Sequence, residues 1–122
     1  MKALVVDDSA VMRKVLIGAL SRAGITDVEQ AADGLEALEA CGKTDYGLIL
    51  MDWNMPSLLG IDVLRRLREA GKTMPIIMVT TEAEKARVIE ALKSGASNYI
   101  IKPFEPQTIV QKIQETLAQV AQ

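Results

Sequence analysis

The sequence predicts an α/β protein in which a doubly wound parallel sheet of five strands is covered on both faces by five helices. Short apolar runs alternate five times with longer stretches whose apolar residues recur at helical spacing. One run, residues 48–51, is apolar at all four positions, as expected of a strand buried on both faces. It stops at Asp52, and Pro56 follows closely and prevents further strand pairing.

The strands are predicted where aliphatic residues cluster and a polar or turn-forming residue follows. They are residues 4–6, 28–31, 48–51, 75–79 and 99–101. Four of these runs end on residues suited to chemistry: Asp7 and Asp8 after the first, Asp52 after the third, Thr80 after the fourth and Lys102 after the fifth.

The helices are predicted from apolar residues spaced three and four apart, and four of them end near a glycine. The first helix, ending at Gly24, carries Val11, Met12, Val15, Leu16, Ala19 and Leu20. The second, closed by Gly42, carries Leu35, Leu38 and Cys41, and the third, ending at Gly71, carries Ile61, Leu64 and Leu67. The fourth, ending at Gly95, carries Val88, Ile89 and Leu92, and the last carries Ile109, Val110, Ile113, Leu117 and Val120.

Composition and charge narrow the functional class. The chain has 122 residues, 49% of them hydrophobic and 25% charged, which suits one globular domain spanning 1–122 with no output domain attached. The net charge of −2 gives no general attraction for nucleic acid or an anionic membrane, so neither is expected as a partner. Arg65, Arg66 and Arg68 alternate with leucines and are interpreted as a solvated helix face.

The rarer residue types exclude several kinds of site. Cys41 is the only cysteine, so no intramolecular disulfide forms and a reducing compartment is expected. No apolar run approaches the ~18 residues of a membrane span, and the start is too short for a signal peptide. We therefore expect a cytoplasmic monomer. Because the chain contains no histidine, it has neither histidine-ligated metal sites nor serine–histidine catalysis.

The polar residues at the strand ends should meet, because the carboxyl ends of parallel strands share one edge of the sheet. Each has a plainer interpretation. Asp7 and Asp8 could cap the first helix, Asp52 could form a turn, Thr80 could cap the fourth helix, and Lys102 could be a solvated lysine. Their occurrence together at four strand ends favours a functional site.

Electrostatics indicates what this site requires. Two carboxylates about 5 Å apart repel by roughly 3 kcal/mol at an effective dielectric constant of about 20. Three such charges would cost on the order of 10 kcal/mol, which rivals the stability of a whole domain. One lysine does not offset that repulsion, whereas a divalent cation does. Oxygen ligands too few to form a closed cage favour Mg2+.

A metal ion beside a carboxylate, a lysine and a hydroxyl suits phosphoryl transfer, since the cations neutralise the phosphoryl oxygens. A carboxylate can itself act as the nucleophile and form an acyl phosphate. Asp52 is the residue to which we assign this role.

With these residues at its strand ends, the chain resembles response-regulator receiver domains, most closely the stand-alone receivers of bacterial chemotaxis. The resemblance covers essentially the whole chain. It is carried by Asp7-Asp8, residues 51–56 with Asp52 among them, Val79-Thr80, and Tyr99 together with Lys102-Pro103-Phe104. It implies a flavodoxin-like fold with strand order 2-1-3-4-5.

The resemblance also implies a metal site and a phosphoryl donor. Asp52 would accept the phosphoryl group from the phosphohistidine of a histidine kinase of the chemotaxis type. Asp8, Asp52 and the backbone carbonyl of Asn54 would bind Mg2+, with Asp7 assisting through a water molecule. Lys102 would contact the phosphoryl oxygens.

A conformational switch is implied in the same way. Thr80 would move toward the phosphoryl group, and Tyr99 would turn inward and alter the surface of the fourth helix, fifth strand and fifth helix. The bond before Pro103 would be cis. Trp53, next to Asp52, is the only tryptophan and should report events at the site.

Leu59 departs from the family pattern, because many receivers have an aspartate directly before the glycine that is Gly60 here. The change removes an expected helix cap worth ~1 kcal/mol. It also leaves Leu58 and Leu59 as an apolar surface beside the site, while no proposed ligand is lost.

Other functions remain open at this stage. A flavin-binding flavodoxin has the same architecture, although Asp7 and Asp8 would repel its phosphate. An aspartate-nucleophile phosphatase also uses acids and Mg2+, but its nucleophile usually follows the first strand with a second acid two positions later, where this chain has Ala10. Within the receiver class, the expected output is binding to the flagellar motor switch. The alternatives are a relay to a phosphotransfer protein and a pseudo-receiver that only binds protein. A phosphatase could act on the phosphorylated form.

Overall fold

The computed structural model describes residues 1–120 and contains five strands and five helices that alternate along the chain. The strands are β1 Lys2–Val6, β2 Asp27–Ala31, β3 Leu48–Met51, β4 Ile76–Thr80 and β5 Asn98–Ile101. The helices are α1 Ala10–Arg22, α2 Gly34–Lys43, α3 Gly60–Glu69, α4 Lys85–Lys93 and α5 Pro106–Val120. Within residues 1–120, none of these helices has the length and apolar character that crossing a membrane would require.

All neighbouring strands of the sheet are parallel, in the order β2-β1-β3-β4-β5. This confirms the predicted fold and strand order. Every side chain of β3 is buried, as the apolar run predicted, because helices cover the central strands on both faces.

Two apolar cores lie on opposite faces of the sheet. One joins inward residues of α1 and α5 to alternate positions of the strands, including Val5, Leu50 and Val79. The other joins α2, α3 and α4 to the remaining positions, including Met51 and Met78. Since α1 and α3 cover opposite faces, the loops that follow β1 and β3 diverge and a crevice opens between them.

The structure corrects several details of the helix predictions. In α1 only Leu16, Ala19 and Leu20 are buried, whereas the predicted face also included Val11 and Val15, which are exposed. The predicted apolar side chains of Leu35, Ile89, Leu92 and Val120 are exposed as well. Apolar spacing identifies a helix, but the width of its buried stripe depends on how closely it lies on the sheet. Helix α2 also continues past the predicted stop at Gly42 to Lys43.

The arginines of α3 are not the solvated face that was predicted. Arg65 pairs with Glu90 of α4 at 2.7 Å, and the guanidinium of Arg68 donates to the carbonyl oxygen of Gly95 at 2.9 and 3.0 Å. Burial lowers the pKa of Arg68 below its ordinary value. Only Arg66 is exposed, so the other two arginines fasten α4 to α3.

Candidate functional site

Asp7 and Asp52 are neighbours at the carboxyl edge of the sheet because β1 and β3 lie side by side. The register pairs Val6 with Met51, so the next residue of each strand is an aspartate. The backbone N–H of Asp52 extends this pairing by donating to the carbonyl oxygen of Val6 at 3.0 Å. The crevice predicted between the first and third strands is therefore lined by acids.

Three carboxylates converge in this crevice. One oxygen each from Asp7, Asp8 and Asp52 lies within 4.8 Å of the other two. Asp7 is 1% exposed and Asp52 8% exposed, whereas Asp8 is open to solvent. The fold therefore brings together the three carboxylates for which mutual repulsion was predicted.

Lys102 reaches the cluster from β5. Its Nζ donates to Asp7 Oδ2 at 2.7 Å and to Asp52 Oδ2 at 3.1 Å. Burial by itself would lower the pKa of Lys102, but the two hydrogen bonds and the two negative charges outweigh burial and raise the pKa above its ordinary value. The side chain is therefore an ammonium that offsets part of the negative charge. The Lys102–Pro103 peptide bond is cis, the form that the family resemblance implies.

The other oxygens of the two buried acids are held by backbone N–H groups. Asp7 Oδ1 accepts from the N–H of Ser9 at 2.8 Å, and Asp52 Oδ1 accepts from the N–H of Trp53 at 2.7 Å. The carboxylate of Asp8 has no hydrogen bond or ion pair with any residue in 1–120. Capping of α1 is performed by Ser9, which accepts from the N–H of Met12, so capping does not account for Asp7 and Asp8.

This donor set fits a hard divalent cation. All three side chains offer oxygen, one of them has no competing protein partner, and the site opens to solvent at Asp8. Mg2+ prefers oxygen ligands and keeps several of its waters, which an open crevice with few protein ligands allows. The crevice is therefore compatible with Mg2+.

Comparison with known proteins identifies the family to which a chain with this acidic site belongs. The family model described as "Response regulator receiver domain" matches residues 3–114. The chain belongs to the response-regulator receiver family. Chemotaxis protein CheY1 of Helicobacter pylori is 47% identical to this receiver over 120 residues, which are 96% of this chain and 97% of CheY1.

Solved structures resemble the receiver over nearly its full length. The receiver domain of the Francisella response regulator 1452 superimposes with a TM-score of 0.90, at 32% identity and with 98% of each chain covered. CheY4 of Vibrio cholerae superimposes with a TM-score of 0.86, at 36% identity, with 94% of this chain and 97% of CheY4 covered. Receivers of this family are signalling proteins, and the resemblance to chemotaxis receivers stated from the motifs is confirmed.

Thr80 lies at the same edge of the receiver but does not contact the acids. It is the last residue of β4 and is fully buried, and its hydroxyl oxygen accepts from the N–H of Glu82 at 3.3 Å. Among the residues in 1–120, no hydrogen bond joins Thr80 to Asp52 or Lys102 through their side chains. Because its hydroxyl accepts from Glu82, it keeps its own hydrogen and could donate to a phosphoryl group that came within reach.

Tyr99 points inward and is buried. Its hydroxyl donates to the backbone carbonyl of Glu82 at 2.6 Å. Burial, followed by the negative charges of Glu82 and Asp52, raises the pKa of Tyr99 to about 12. The inward orientation that the resemblance associates with phosphorylation is thus the one that the structure has.

Glu82 is a residue that sequence reasoning missed. Its backbone contacts both Thr80 and Tyr99, and its carboxylate accepts from the side-chain amide of Asn54 at 3.0 Å. It therefore joins the loop after β3 to both proposed switch residues. Its position two residues after Thr80 was the only signal, because a glutamate before a helix is common without such contacts.

Trp53 is buried beside the site and contacts α4. The guanidinium of Arg87 lies over its indole ring, 5.6 Å from the ring centre. Because the backbone N–H of Trp53 donates to Asp52, a change at that carboxylate should alter the surroundings of the indole.

The loop that ends at α3 confirms the missing cap predicted at Leu59, but of the predicted apolar pair only Leu59 is exposed, because Leu58 packs against the core. Leu59 is the N-cap residue of α3, its side chain makes no capping bond, and it is 41% exposed. Leu58 packs against the start of α2, where a β-carbon at position 34 would stand 2.4 Å from its carbonyl oxygen. Glycine at position 34 therefore permits this close approach.

Proposed function

We propose that this receiver accepts a phosphoryl group on Asp52 from the phosphohistidine of a histidine kinase. The observation that carries the proposal is the Lys102 ammonium shared between Asp7 and Asp52, with the unpaired Asp8 beside them. A cation next to a carboxylate nucleophile is an arrangement suited to phosphoryl transfer, because the cation stabilises the charge of the phosphoryl oxygens. In the reaction, an oxygen of Asp52 bonds to phosphorus, the bond from phosphorus to the imidazole nitrogen breaks, and an acyl phosphate forms.

Hydrogen bonds orient the Asp52 carboxylate for its proposed role as the nucleophile. The backbone N–H of Trp53 fixes one of its oxygens, and among the residues in 1–120 the other oxygen accepts a hydrogen bond only from Lys102. Bound Mg2+ would supply positive charge to the phosphoryl oxygens and would be held by Asp8, Asp52 and the Asn54 carbonyl, with Asp7 acting through water. No hydrogen bond within 1–120 engages the Asn54 carbonyl.

Lys102 and Thr80 would complete the site. The Lys102 ammonium has three N–H donors and gives two of them to Asp7 and Asp52, so the third can donate to a phosphoryl oxygen and neutralise its charge. Thr80 would donate a hydrogen bond to a phosphoryl oxygen once its hydroxyl came within reach. The acyl phosphate is later hydrolysed within the same site, so the protein catalyses only its own phosphorylation and dephosphorylation.

The proposed output is binding to the flagellar motor switch in the cytoplasm, by a monomer of one domain. Relatives named as chemotaxis proteins support it, and so does an exposed apolar surface on α4 and β5. The exposed apolar side chains are Ile89 and Leu92 of α4 and Ile101 of β5, and Tyr99 lies in the same strand as Ile101. A change at Asp52 that reached Tyr99 would therefore reach a surface able to bind a partner.

A relay receiver that passes its phosphoryl group to a phosphotransfer protein is the second candidate. The observation in its favour is Val11, which is exposed in the first turn of α1, three residues after Asp8. An exposed apolar side chain in the first turn of α1 suits contact with the helix that carries a partner's histidine. The two outputs use different surfaces, so they can be tested separately.

Trp53 fluorescence tests the chemistry. Mg2+ should quench it saturably, and acetyl phosphate should then cause a further, reversible change that is absent in Asp52→Asn. Mass spectrometry of the same samples should show one added phosphoryl group only in the wild type. A wild type that responds to neither reagent would contradict the proposal and favour a pseudo-receiver that binds protein alone.

Two assays test the output. Phosphorylated receiver should bind a motor switch protein, and Ile101→Asp should abolish that binding while leaving phosphorylation by acetyl phosphate unchanged. Transfer of the phosphoryl group to a histidine phosphotransfer protein, with Val11→Asp as the disrupting variant, would instead support the relay.

A further inference from the structure

We propose that Arg13 is a positioning residue for the cation site, because it orients the peptide group between Asp7 and Asp8. The inference rests on the proposed Mg2+ site and adds a residue that the family motifs quoted above do not contain. Arg13 lies in the first turns of α1 and is half-buried.

Arg13 makes two directed hydrogen bonds. Its Nη1 donates to the backbone carbonyl oxygen of Asp7 at 2.7 Å, and its Nε donates to Gln30 Oε1 at 2.9 Å. Gln30 belongs to β2, so the side chain bridges α1, the loop after β1 and the edge strand. Both bonds use the planar guanidinium, whose donors have fixed directions.

The Asp7 carbonyl requires such a partner because the sheet ends there. The pairing of β1 with β2 stops at Val6 and Ala31, and the N–H of Asp7 makes the last bond, to the Ala31 carbonyl at 3.2 Å. The carbonyl of Asp7 therefore has no strand beside it and accepts from Arg13 instead. An unpaired carbonyl in a half-buried position would be costly.

The bond from Arg13 to the Asp7 carbonyl affects the orientation of Asp8. Every polar group of Asp7 is held, since its carboxylate accepts from Ser9 and Lys102 while its backbone is held at both ends. Asp8 has no side-chain partner of its own in 1–120, so the direction of its carboxylate depends on the peptide that precedes it. By holding that peptide, Arg13 keeps Asp8 turned toward Asp52.

The charge of Arg13 and its positioning role predict opposite effects of its removal on Mg2+ affinity. Arg13 is a cation near three carboxylates, so electrostatics alone predicts that its removal would strengthen the binding of Mg2+. Loss of positioning predicts the reverse, since groups that orient metal ligands typically affect affinity about tenfold or more. The sign of the change therefore distinguishes the two effects.

Four variants test the proposal. Arg13→Met removes charge and contacts, and Arg13→Lys keeps the charge but cannot reproduce both bonds. Gln30→Ala removes one anchor with no change of charge. Lys14→Met is the matched control, because it removes the same charge from the neighbouring, exposed position of α1. Mg2+ affinity is measured by calorimetry and Trp53 fluorescence, and urea unfolding verifies that each variant is folded under the conditions of the titration.

We expect Arg13→Met to bind Mg2+ about tenfold more weakly than the wild type. Arg13→Lys and Gln30→Ala should show smaller losses, and Lys14→Met should bind equally or slightly more tightly. If the wild type binds Mg2+ and folded Arg13→Met binds as tightly as Lys14→Met, the positioning role is overturned while the metal site stands. If the wild type itself does not bind Mg2+, the proposed metal site fails and the role of Arg13 fails with it.

Discussion

Gly60, the first residue of α3, lies directly against the backbone of Asp52, and a β-carbon at position 60 would stand 1.9 Å from the Asp52 carbonyl oxygen. The Gly60 N–H donates to the Trp53 carbonyl at 2.8 Å, so the loop after β3 closes back on itself. Only a residue without a side chain permits this closure. The closure holds the backbone of the proposed nucleophile and of Trp53, which follows it.

Gly60→Ala should therefore destabilise the protein by about 3 kcal/mol, because a methyl group cannot enter this contact without moving the Asp52 backbone. Gly18→Ala is the matched control, since Gly18 is within α1 and a β-carbon there would meet nothing within 4 Å. That control should stabilise the protein by about 1 kcal/mol through helix propensity. Urea unfolding measures both, and equal effects of the two substitutions would contradict the steric argument.

Leu59→Asp should raise the free energy of unfolding by about 1 kcal/mol, because it supplies the N-cap bond that α3 lacks. Leu59→Ala removes the same exposed side chain without adding a cap and serves as the control. Mg2+ affinity should not change, since Leu59 offers no proposed ligand. An unchanged or lower stability of the aspartate variant would show that the loop conformation prevents capping.

Asp8→Asn should stabilise the protein by about 1 kcal/mol at pH 7 and low salt, while it weakens Mg2+ binding. The substitution removes one of three clustered charges, and the one removed has no protein partner in 1–120. The gain should shrink as salt is added. Asp27→Asn is the control, because Asp27 is exposed and belongs to neither the acidic cluster nor an ion pair within the described chain. A similar gain in both variants would argue against repulsion at the site.

Both tyrosines should remain protonated well above pH 10 in the folded protein. Burial is the main reason why the pKa of Tyr46 and that of Tyr99 are raised from 10.0 to about 12, and Tyr46 also donates a hydrogen bond to Glu29. Because the folded values lie above the unfolded ones, the stability linked to these groups is complete below pH 10 and declines as the pH rises toward about 12.

Tyrosinate absorbance against pH, with and without urea, measures these values. The folded curve should lie about two units above the unfolded one. Tyr99→Phe and Tyr46→Phe should each leave a single tyrosine whose ionisation appears in the absorbance curve. Ionisation of Tyr99 near pH 10 in the folded protein would mean that its side chain is exposed to solvent for much of the time.

Much of the fold was predictable because burial on both faces of a parallel sheet requires apolar runs, and such runs are visible in a sequence. The convergence of Asp7, Asp8, Asp52 and Lys102 was predictable for a related reason, since parallel strands end at one edge. What the predictions lacked was the contacts between loops and helices. Glu82 and Arg13 are ordinary charged residues in the sequence, and only their partners give them a role.

The sequence by itself determined the order of the elements, the family and the set of acids at the carboxyl edge of the sheet. The tertiary structure decided which acids are paired and which is open, that Arg65 and Arg68 hold α4, and that Tyr99 lies inward. The physical reason is the separation along the chain of the residues that interact. Hydrophobic periodicity and strand ends are local properties of the chain. By contrast, the partner of a polar side chain depends on where distant elements come to rest, as with Lys102 and Asp7, which are 95 positions apart.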